Sequence, residues 1–368
     1  MLAKRKENSE KQPCVLISGA YGMGNIGDEA MLQTIIAQLR GISPDVRICV
    51  MTRTPAKTKK LYGVDTVYTF NFLGMHSEMK KADLFISGGG CLIQNETSRR
   101  SLWYYLHTLA AAKKFGCRVL MYGCGVGPVN GDDDRKTVAN VLNNCVDCIT
   151  LREQDSQGLL ADIGVDRPEI VVASDLAFAV KPCSDEETDG IMRKCGLDPN
   201  GKYACFCFRP WKGVEEKLDV LCAAVRYTYE ELGLMPVFMS MNYRADSDIA
   251  RRVAERSGVP HVIIPEIARP DMALGLLGRM KLTVAMRLHA ALLSVLAGVP
   301  VVGISYDPKV SAFTNYVGSD SCLELDMLEY EALVDHIGRA AQSGSRASGL
   351  DKLRTLGDAN VRTLERFV

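Results

Sequence analysis

The residues best suited to chemistry crowd into one short stretch. Arg287 and His289 stand in Met286-Arg-Leu-His-Ala290, and Lys309 follows twenty positions after His289 in Tyr306-Asp-Pro-Lys309. A guanidinium, an imidazole and an ammonium at what reads as one edge of an α/β sheet suit an anionic substrate that must take up a proton. Histidine exchanges protons near neutrality. A lone histidine on an apolar strand is usually structural, and the flanking cations weigh toward function here. Two further arginines end expected strands: Arg152, ahead of Glu153 and Asp155, and Arg209 in Phe208-Arg-Pro-Trp211. Each reads equally well as a bidentate ligand of a carboxylate or phosphate, or as half of a salt bridge.

Two glycine-rich loops offer a different chemistry. In Gly22-Met-Gly24-Asn25-Ile-Gly27-Asp28-Glu29, backbone N–H groups at a helix start attract anions. Asp28 and Glu29 oppose a phosphate there and fit sugar hydroxyls better. No Gly-Lys-Ser/Thr follows, so this is not a Walker loop. The competing reading is a tight strand-to-helix turn with Asp28 as cap. In Gly88-Gly-Gly-Cys-Leu-Ile-Gln94-Asn95-Glu-Thr97-Ser98, the side chains of Gln94, Asn95, Thr97 and Ser98 supply uncharged donors and acceptors for a polyhydroxyl ligand. Asn95, Thr97 or Ser98 serves equally as a helix cap. Trp103-Tyr104-Tyr105 reads as core packing ahead of sugar stacking.

These residues need elements to hold them. Short apolar runs ending in glycine or a polar residue alternate with helical periods: strands over 14–18, 47–52, 83–87, 118–122 and 147–152, with helices over 27–39, after 98, near 134–143 and near 155–163. After a polar stretch over 181–188 the alternation resumes, with strands over 203–208, 235–241, 262–264, 282–286 and 301–305. Strand–helix–strand alternation implies parallel sheets with right-handed crossovers. The expectation is an α/β chain of two Rossmann-like domains facing across a cleft, with ligands at the carboxyl ends of the strands. The boundaries are a polar tail over 1–12, a first domain over 13–180, a second over 181–349 and a closing helix over 350–368.

Composition narrows the class. The 368 residues are 47% hydrophobic and 24% charged, enough for two cores. Lys+Arg and Asp+Glu both number 44, so no global field draws nucleic acid. Residues 1–12 carry no apolar signal region, and no run approaches the ~20 residues of a membrane span. A cytoplasmic protein is expected. The thirteen cysteines then read as reduced thiols, and the lone Cys145-x-x-Cys148 has no partner pair with zinc spacing, so no metal is expected.

Six segments together resemble the polysaccharide pyruvyl transferase family, CsaB type: Gly22-x-Gly-Asn-x-Gly-Asp-Glu-Ala30, Gly88-Gly-Gly-x-x-x-Gln94-x-x-Thr97-Ser98, Gly123-x-Gly-x-Gly-Pro128, Arg152-Glu-x-x-Ser156, Met286-Arg-Leu-His-Ala290 and Tyr306-Asp-Pro-Lys-Val310. The resemblance implies a GT-B-like architecture and phosphoenolpyruvate as co-substrate, with no cofactor. It implies that Arg152, His289 and Lys309 hold the donor. It further implies transfer of the enolpyruvyl group, as a ketal on O4 and O6, to β-N-acetylmannosamine in a lipid-linked precursor of a secondary cell wall polymer. That modification anchors S-layer proteins. The acceptor implies a peripheral contact at the inner face of the membrane. Arg287 and Arg209 join the expected donor side; Gly22, Gly24, Asn25, Asp28, Glu29, Gln94, Asn95, Thr97 and Ser98 the acceptor side. Asn95 stands where close relatives are expected to carry Asp, which favours hydroxyl binding there. The family's last helix crosses back to the first domain.

Two other readings stay open, a nucleotide-sugar glycosyltransferase of GT-B type and a non-catalytic glycan-binding protein. One position bears on the first. Many nucleotide-sugar enzymes of this architecture carry a ribose-binding Glu five residues before the glycine of a Gly-x-Pro turn. Here the turn is Gly298-Val-Pro300 and the position is Leu293, which offers a hydroxyl nothing.

Overall fold

The computed structural model describes residues 12–306, 313, 321–343 and 350–368. Two compact units account for them. The first takes Met31–Leu176 together with the chain before Gly24 and Leu356–Val368; the second takes Gly24–Ala30 and Ala177–Thr355. The segment Gly24–Ala30 thus groups away from the remainder of 13–180.

The first unit begins with β1 (Cys14–Ser18), α1 (Ile26–Ile42), β2 (Arg47–Thr52), α2 (Pro55–Tyr62), β3 (Asp65–Tyr68) and α3 (Phe72–Met79). It continues through β4 (Leu84–Gly88), α4 (Arg99–Lys114), β5 (Arg118–Cys124), α5 (Asp132–Cys145), β6 (Cys148–Leu151), α6 (Asp155–Asp162) and β7 (Glu169–Val172). The sheet is parallel in the order β3-β2-β1-β4-β5-β6-β7. β1 pairs with β2 (Val15 with Ile48) and with β4 (Ile17 with Ile86). Every residue of β1, β4 and β6 is buried, as a strand covered by helices on both faces requires.

The second unit runs α7 (Asp185–Lys194), β8 (Tyr203–Cys207), α8 (Leu218–Glu230), β9 (Met235–Phe238), α9 (Tyr243–Ser257), β10 (Val262–Ile263), α10 (Pro270–Leu277), β11 (Leu282–Ala285), α11 (Leu288–Leu296), β12 (Val301–Ser305), β13 (Cys322–Glu324) and α12 (Tyr330–Gln342). Its parallel sheet has the order β10-β9-β8-β11-β12-β13. Counted within each unit, the strand order is 3-2-1-4-5-6, the doubly wound pattern, with a seventh strand added in the first. The last helix, α13 (Leu350–Glu365), carries residues from 356 onward in the first unit.

The stretch over 181–188 is only half linker. Ser184 caps α7 by accepting from the Glu187 N–H, Asp185, Glu186 and Glu187 fill its first turn, and Thr188 and Met192 are its buried contacts. No helix among the described residues is long and apolar enough to cross a membrane.

Candidate functional site

In the second unit β9, β8, β11 and β12 are neighbours, and the chain leaving each carries a polar group: Asn242, Arg209, Arg287 with His289, and Tyr306. Strand order reverses between β8 and β11. In doubly wound sheets such a reversal is the position where ligands bind.

Arg209 emerges from the fully buried β8. Its guanidinium lies 4.8 Å from the Trp211 ring centroid and 4.6 Å from that of Tyr306, and Nη1 donates to the Tyr306 hydroxyl. The two rings are themselves 4.5 Å apart. Nε is buried and has no hydrogen-bond partner among the described residues. Such a cation keeps its fork of donors and is oriented by aromatic faces.

Arg287 is placed differently. Its Nε donates to Asp246 Oδ2 at 3.1 Å and its Nη2 to Oδ1 of the same carboxylate. Asp246 is 0% exposed and also accepts the Asn242 N–H at 2.9 Å. Arg287 is therefore committed to a buried carboxylate that shapes the start of α9, although its sequence position put it with the donor-binding cations.

His289 is the second residue of α11 and half-buried. The first turn of α1 rests on its ring: a Cβ added at Gly27 would lie 2.0 Å from His289 Nδ1. Asn25 sets that turn. Its Oδ1 accepts the Gly27 N–H at 3.1 Å, its Nδ2 donates to Asp28 Oδ2 at 2.7 Å, and it bridges antiparallel to Asn242. The Ile26 N–H donates to the Met241 carbonyl at 2.8 Å. Asn25, not Asp28, caps the helix, and Asp28 is tied to the cap. Gly24 has φ +76°, and a Cβ there would meet only Glu266 Oε1 at an ordinary 3.9 Å, so its backbone conformation selects glycine. Gly22, in the first unit, has φ +77° and would put a Cβ 2.3 Å from Thr52 Oγ1. Glu29 is buried in the first turn of α1. Lys309 lies outside the described residues.

In the first unit Arg152 follows β6. Its Nη1 donates to Asp175 Oδ2 at 3.0 Å and its Nε lies 3.5 Å from Glu153 Oε2. Burial works against its charge, and the carboxylates of Asp175 and Glu153 outweigh that, holding the guanidinium above the ordinary arginine range. Gly125 leaves room for the group, since a Cβ there would lie 2.5 Å from Glu153 Oε1. Ser156, the last residue of Arg-Glu-x-x-Ser, accepts the Val126 N–H at 2.8 Å and reaches Glu153 Oε1 at 3.2 Å. The motif is thus a built ion-pair unit.

The loop after β4 is tied mostly to itself. Ser98 caps α4 by accepting from Ser101 N–H at 3.2 Å. Gln94 Oε1 accepts the Thr97 N–H at 3.1 Å and Gln94 Nε2 donates to Thr97 Oγ1. Asn95 Nδ2 donates to Asn130 O at 2.7 Å and to Asp134 Oδ2 at 2.9 Å, while its Oδ1 accepts the Asn130 N–H at 2.8 Å. The Arg99 guanidinium, with Asn95, holds the Asp134 carboxyl below its ordinary range. Asn95 is a loop clasp. Tyr105 packs in the core, whereas Trp103 stands half exposed.

Sequence reasoning missed Tyr306, Asp246 and Asn242. Tyr306 had a signal, since it heads the Tyr-Asp-Pro-Lys motif. Asp246 had none, because an acidic residue in the first turn of a helix ordinarily faces water.

Solved structures share this fold. HepE of Anabaena, in complex with UDP and glucose, matches 96% of this chain and 100% of its own at 12% identity, with a TM-score of 0.60. UDP-GlcNAc 2-epimerase of Neisseria meningitidis, bound to UDP-GlcNAc, matches 96% and 100% at 9% identity and a TM-score of 0.63. A glycosyltransferase of Rickettsia africae matches 97% and 98% at 12% identity and a TM-score of 0.59. At such identities the likeness is one of fold, the GT-B type with two Rossmann-like parallel sheets. The sequence itself is more specific, because the pattern described as polysaccharide pyruvyl transferase matches residues 25–308 and so takes in the loop over His289, the Arg152 unit and the Arg209 strand end. The chain belongs to the polysaccharide pyruvyl transferase family.

Proposed function

We propose that the protein transfers the enolpyruvyl group of phosphoenolpyruvate to a sugar diol and closes it as a 4,6-ketal, with phosphate released. The acceptor in this reading is β-N-acetylmannosamine of a lipid-linked secondary cell wall polymer intermediate, and the protein works on the cytoplasmic side of the membrane. The observation that carries the donor assignment is Arg209. It is an arginine at a switch point, held by rings and paired with no carboxylate among the described residues, which suits a small polyanion with a carboxylate and a phosphate. His289 stands in the first turn of α11, which follows the adjacent strand β11. Arg152 and Lys309 are further donor ligands by family resemblance, and Asn25, Asp28 and Glu29 are hydroxyl-binding candidates.

In the reaction, a proton adds to the donor methylene and makes it a methyl group, leaving an oxocarbenium-like carbon. One sugar hydroxyl bonds to that carbon and loses its proton. The second hydroxyl forms the other C–O bond as the C–O bond to phosphate breaks, and its proton leaves with the phosphate. His289 is the proposed proton donor.

The first experiment measures phosphate release from phosphoenolpyruvate with and without an N-acetylmannosamine glycolipid or a soluble mimic. Acceptor-dependent release is expected, and none across a range of acceptors overturns the reading. Arg209→Ala should lower kcat/KM by ~10–100-fold, chiefly through KM for the donor, because a hydrogen-bonded charge is worth about 1.5–3 kcal/mol.

The UDP ligands of the HepE and epimerase structures favour a second reading, a nucleotide-sugar transferase. Leu293 opposes it, being fully buried in the core of the second unit with no polar atom on its side chain. Thermal shift separates the two: phosphoenolpyruvate, and not UDP- or GDP-sugars, should raise Tm.

A further inference from the structure

Among the described residues, the largest concentration of exposed apolar side chains lies in the first unit. Tyr68, Phe70, Phe72 and Leu73 fall within six consecutive residues, and Leu73 is 85% exposed. They leave the carboxyl end of the edge strand β3 and enter α3. The rings are ordered against one another and against the exposed side of α4. Phe70 meets Tyr68 and Tyr104 edge-on at 6.0 and 5.8 Å, and Phe72 meets His107 at 6.4 Å. The Tyr104 hydroxyl donates to the Thr69 carbonyl at 3.1 Å, so the loop is fixed with its apolar groups outward.

Cations mark both ends of this strip. Arg53 lies 4.5 Å from the Phe70 ring centroid, and Lys80 lies 5.6 Å from that of Phe115. The neighbouring acids are already used: Asp65 pairs with Arg47, and Glu78 pairs with Arg47 and Lys81. The strip is therefore apolar at its centre and positive at its margins. A water-facing surface gains nothing from that combination, and an aromatic patch with arginine would also serve a protein partner, an outcome that the test below separates. The boundary between acyl chains and anionic headgroups asks for both.

We infer that the Tyr68–Leu73 segment, with the exposed sides of α3 and α4, docks on an anionic phospholipid bilayer. Leu73 and Phe72 enter the acyl boundary, Tyr68 and Phe70 sit at headgroup depth, and Arg53 and Lys80 meet lipid phosphates. The strip starts at the carboxyl edge of the first sheet, the same edge that carries the loop after β4. This deepens the proposal of a lipid-linked acceptor and rests on it for its biological purpose, though not for the binding itself.

The test is flotation of the full chain with vesicles of phosphatidylglycerol and phosphatidylcholine in equal parts, against phosphatidylcholine alone. The protein should float with the anionic vesicles, and less so as salt rises. Leu73→Asp and the Arg53→Glu/Lys80→Glu pair should each cut the bound fraction about tenfold or more. Met327→Asp, at an exposed apolar residue of the second unit, should change nothing. Absence of binding by the unaltered chain overturns the inference, and so does equal binding by Leu73→Asp. A shift from dimer to monomer on Leu73→Asp, seen by light scattering with flotation intact, would assign the strip to a second copy and overturn it too. Phosphate release with a soluble acceptor should survive Leu73→Asp while release with the acceptor embedded in vesicles falls. Flotation needs neither donor nor acceptor, so a failed enzyme assay leaves it standing.

Discussion

At the scale of single residues, the contact between Gly27 and His289 makes the sharpest demand. Glycine to alanine in an unhindered helical turn ordinarily stabilises by up to ~1 kcal/mol. Here the added methyl would lie 2.0 Å from His289 Nδ1, so the sign should reverse. Gly27→Ala is expected to lose about 1–3 kcal/mol, as overpacked sites do. His289→Ala in the same chain should restore most of that loss, and urea denaturation of the four-member cycle measures it. A Gly27→Ala protein as stable as its parent would mean the imidazole does not sit under α1. The motif containing Gly27 was visible in the sequence, and so was His289. Their contact was not, because 262 positions separate them and a glycine names the need for space without naming the occupant. The same holds for Arg287. Its place beside His289 suggested a shared substrate, yet Asp246, in the first turn of α9, claims the guanidinium.

At the scale of elements, α13 does more than cover a sheet. Asn360 is buried among strands: its Nδ2 donates to the Ser174 carbonyl at 2.8 Å, and its Oδ1 accepts from Thr150 Oγ1 at 2.7 Å. Thr150 in turn accepts the Gly123 N–H at 2.6 Å. Ser174 precedes Asp175, the ion-pair partner of Arg152, so the helix braces the strand end that holds that cation. Asn360→Leu keeps the branched shape and strands the Thr150 hydroxyl and the Ser174 carbonyl. It should cost about 2–4 kcal/mol by denaturant unfolding, and a neutral effect would contradict the bracing. The helix itself was legible from Leu350, Leu353, Leu356 and Leu364, as were the buried strands from their unbroken apolar runs. α2, β3, α3 and α7 were not. Pro-Ala-Lys-Thr-Lys-Lys-Leu-Tyr in α2 buries only Thr58 and Tyr62, and β3 is an edge strand with one buried residue. Marginal elements bury too little to leave an apolar period, and their place is set by neighbours already folded.

At the scale of the molecule, the two sheets can be followed through their thiols. All thirteen cysteines are free. Cys14, Cys49, Cys124, Cys148, Cys205 and Cys207 are buried in the strands of one unit or the other. Burial pushes Cys49 and Cys124 up to about 12 and Cys117 and Cys148 up to about 11, and the hydrogen-bonded thiol of Cys205, together with burial, pushes Cys207 well up. A thiol whose folded value exceeds its unfolded one binds more protons when folded. Its contribution is complete below the unfolded value near 9 and is lost as pH rises toward 11–12, so stability should fall across that window. Below it, the buried thiolate is too scarce to react, and labelling requires the sheet to open. Native protein near pH 8 should therefore expose no more than Cys91, Cys145, Cys183, Cys195 and Cys322, the half-buried set. Donor binding gives this a functional reading. If phosphoenolpyruvate binds at the switch point beside β8, it stabilises the closed second sheet, and at about ten times Kd the opening of that sheet becomes roughly tenfold rarer. Alkylation of Cys205 and Cys207, followed by mass spectrometry, should slow by that factor. Unchanged labelling of both at saturating donor would remove Arg209 and its strand end from the donor site, whatever the phosphate-release assay shows.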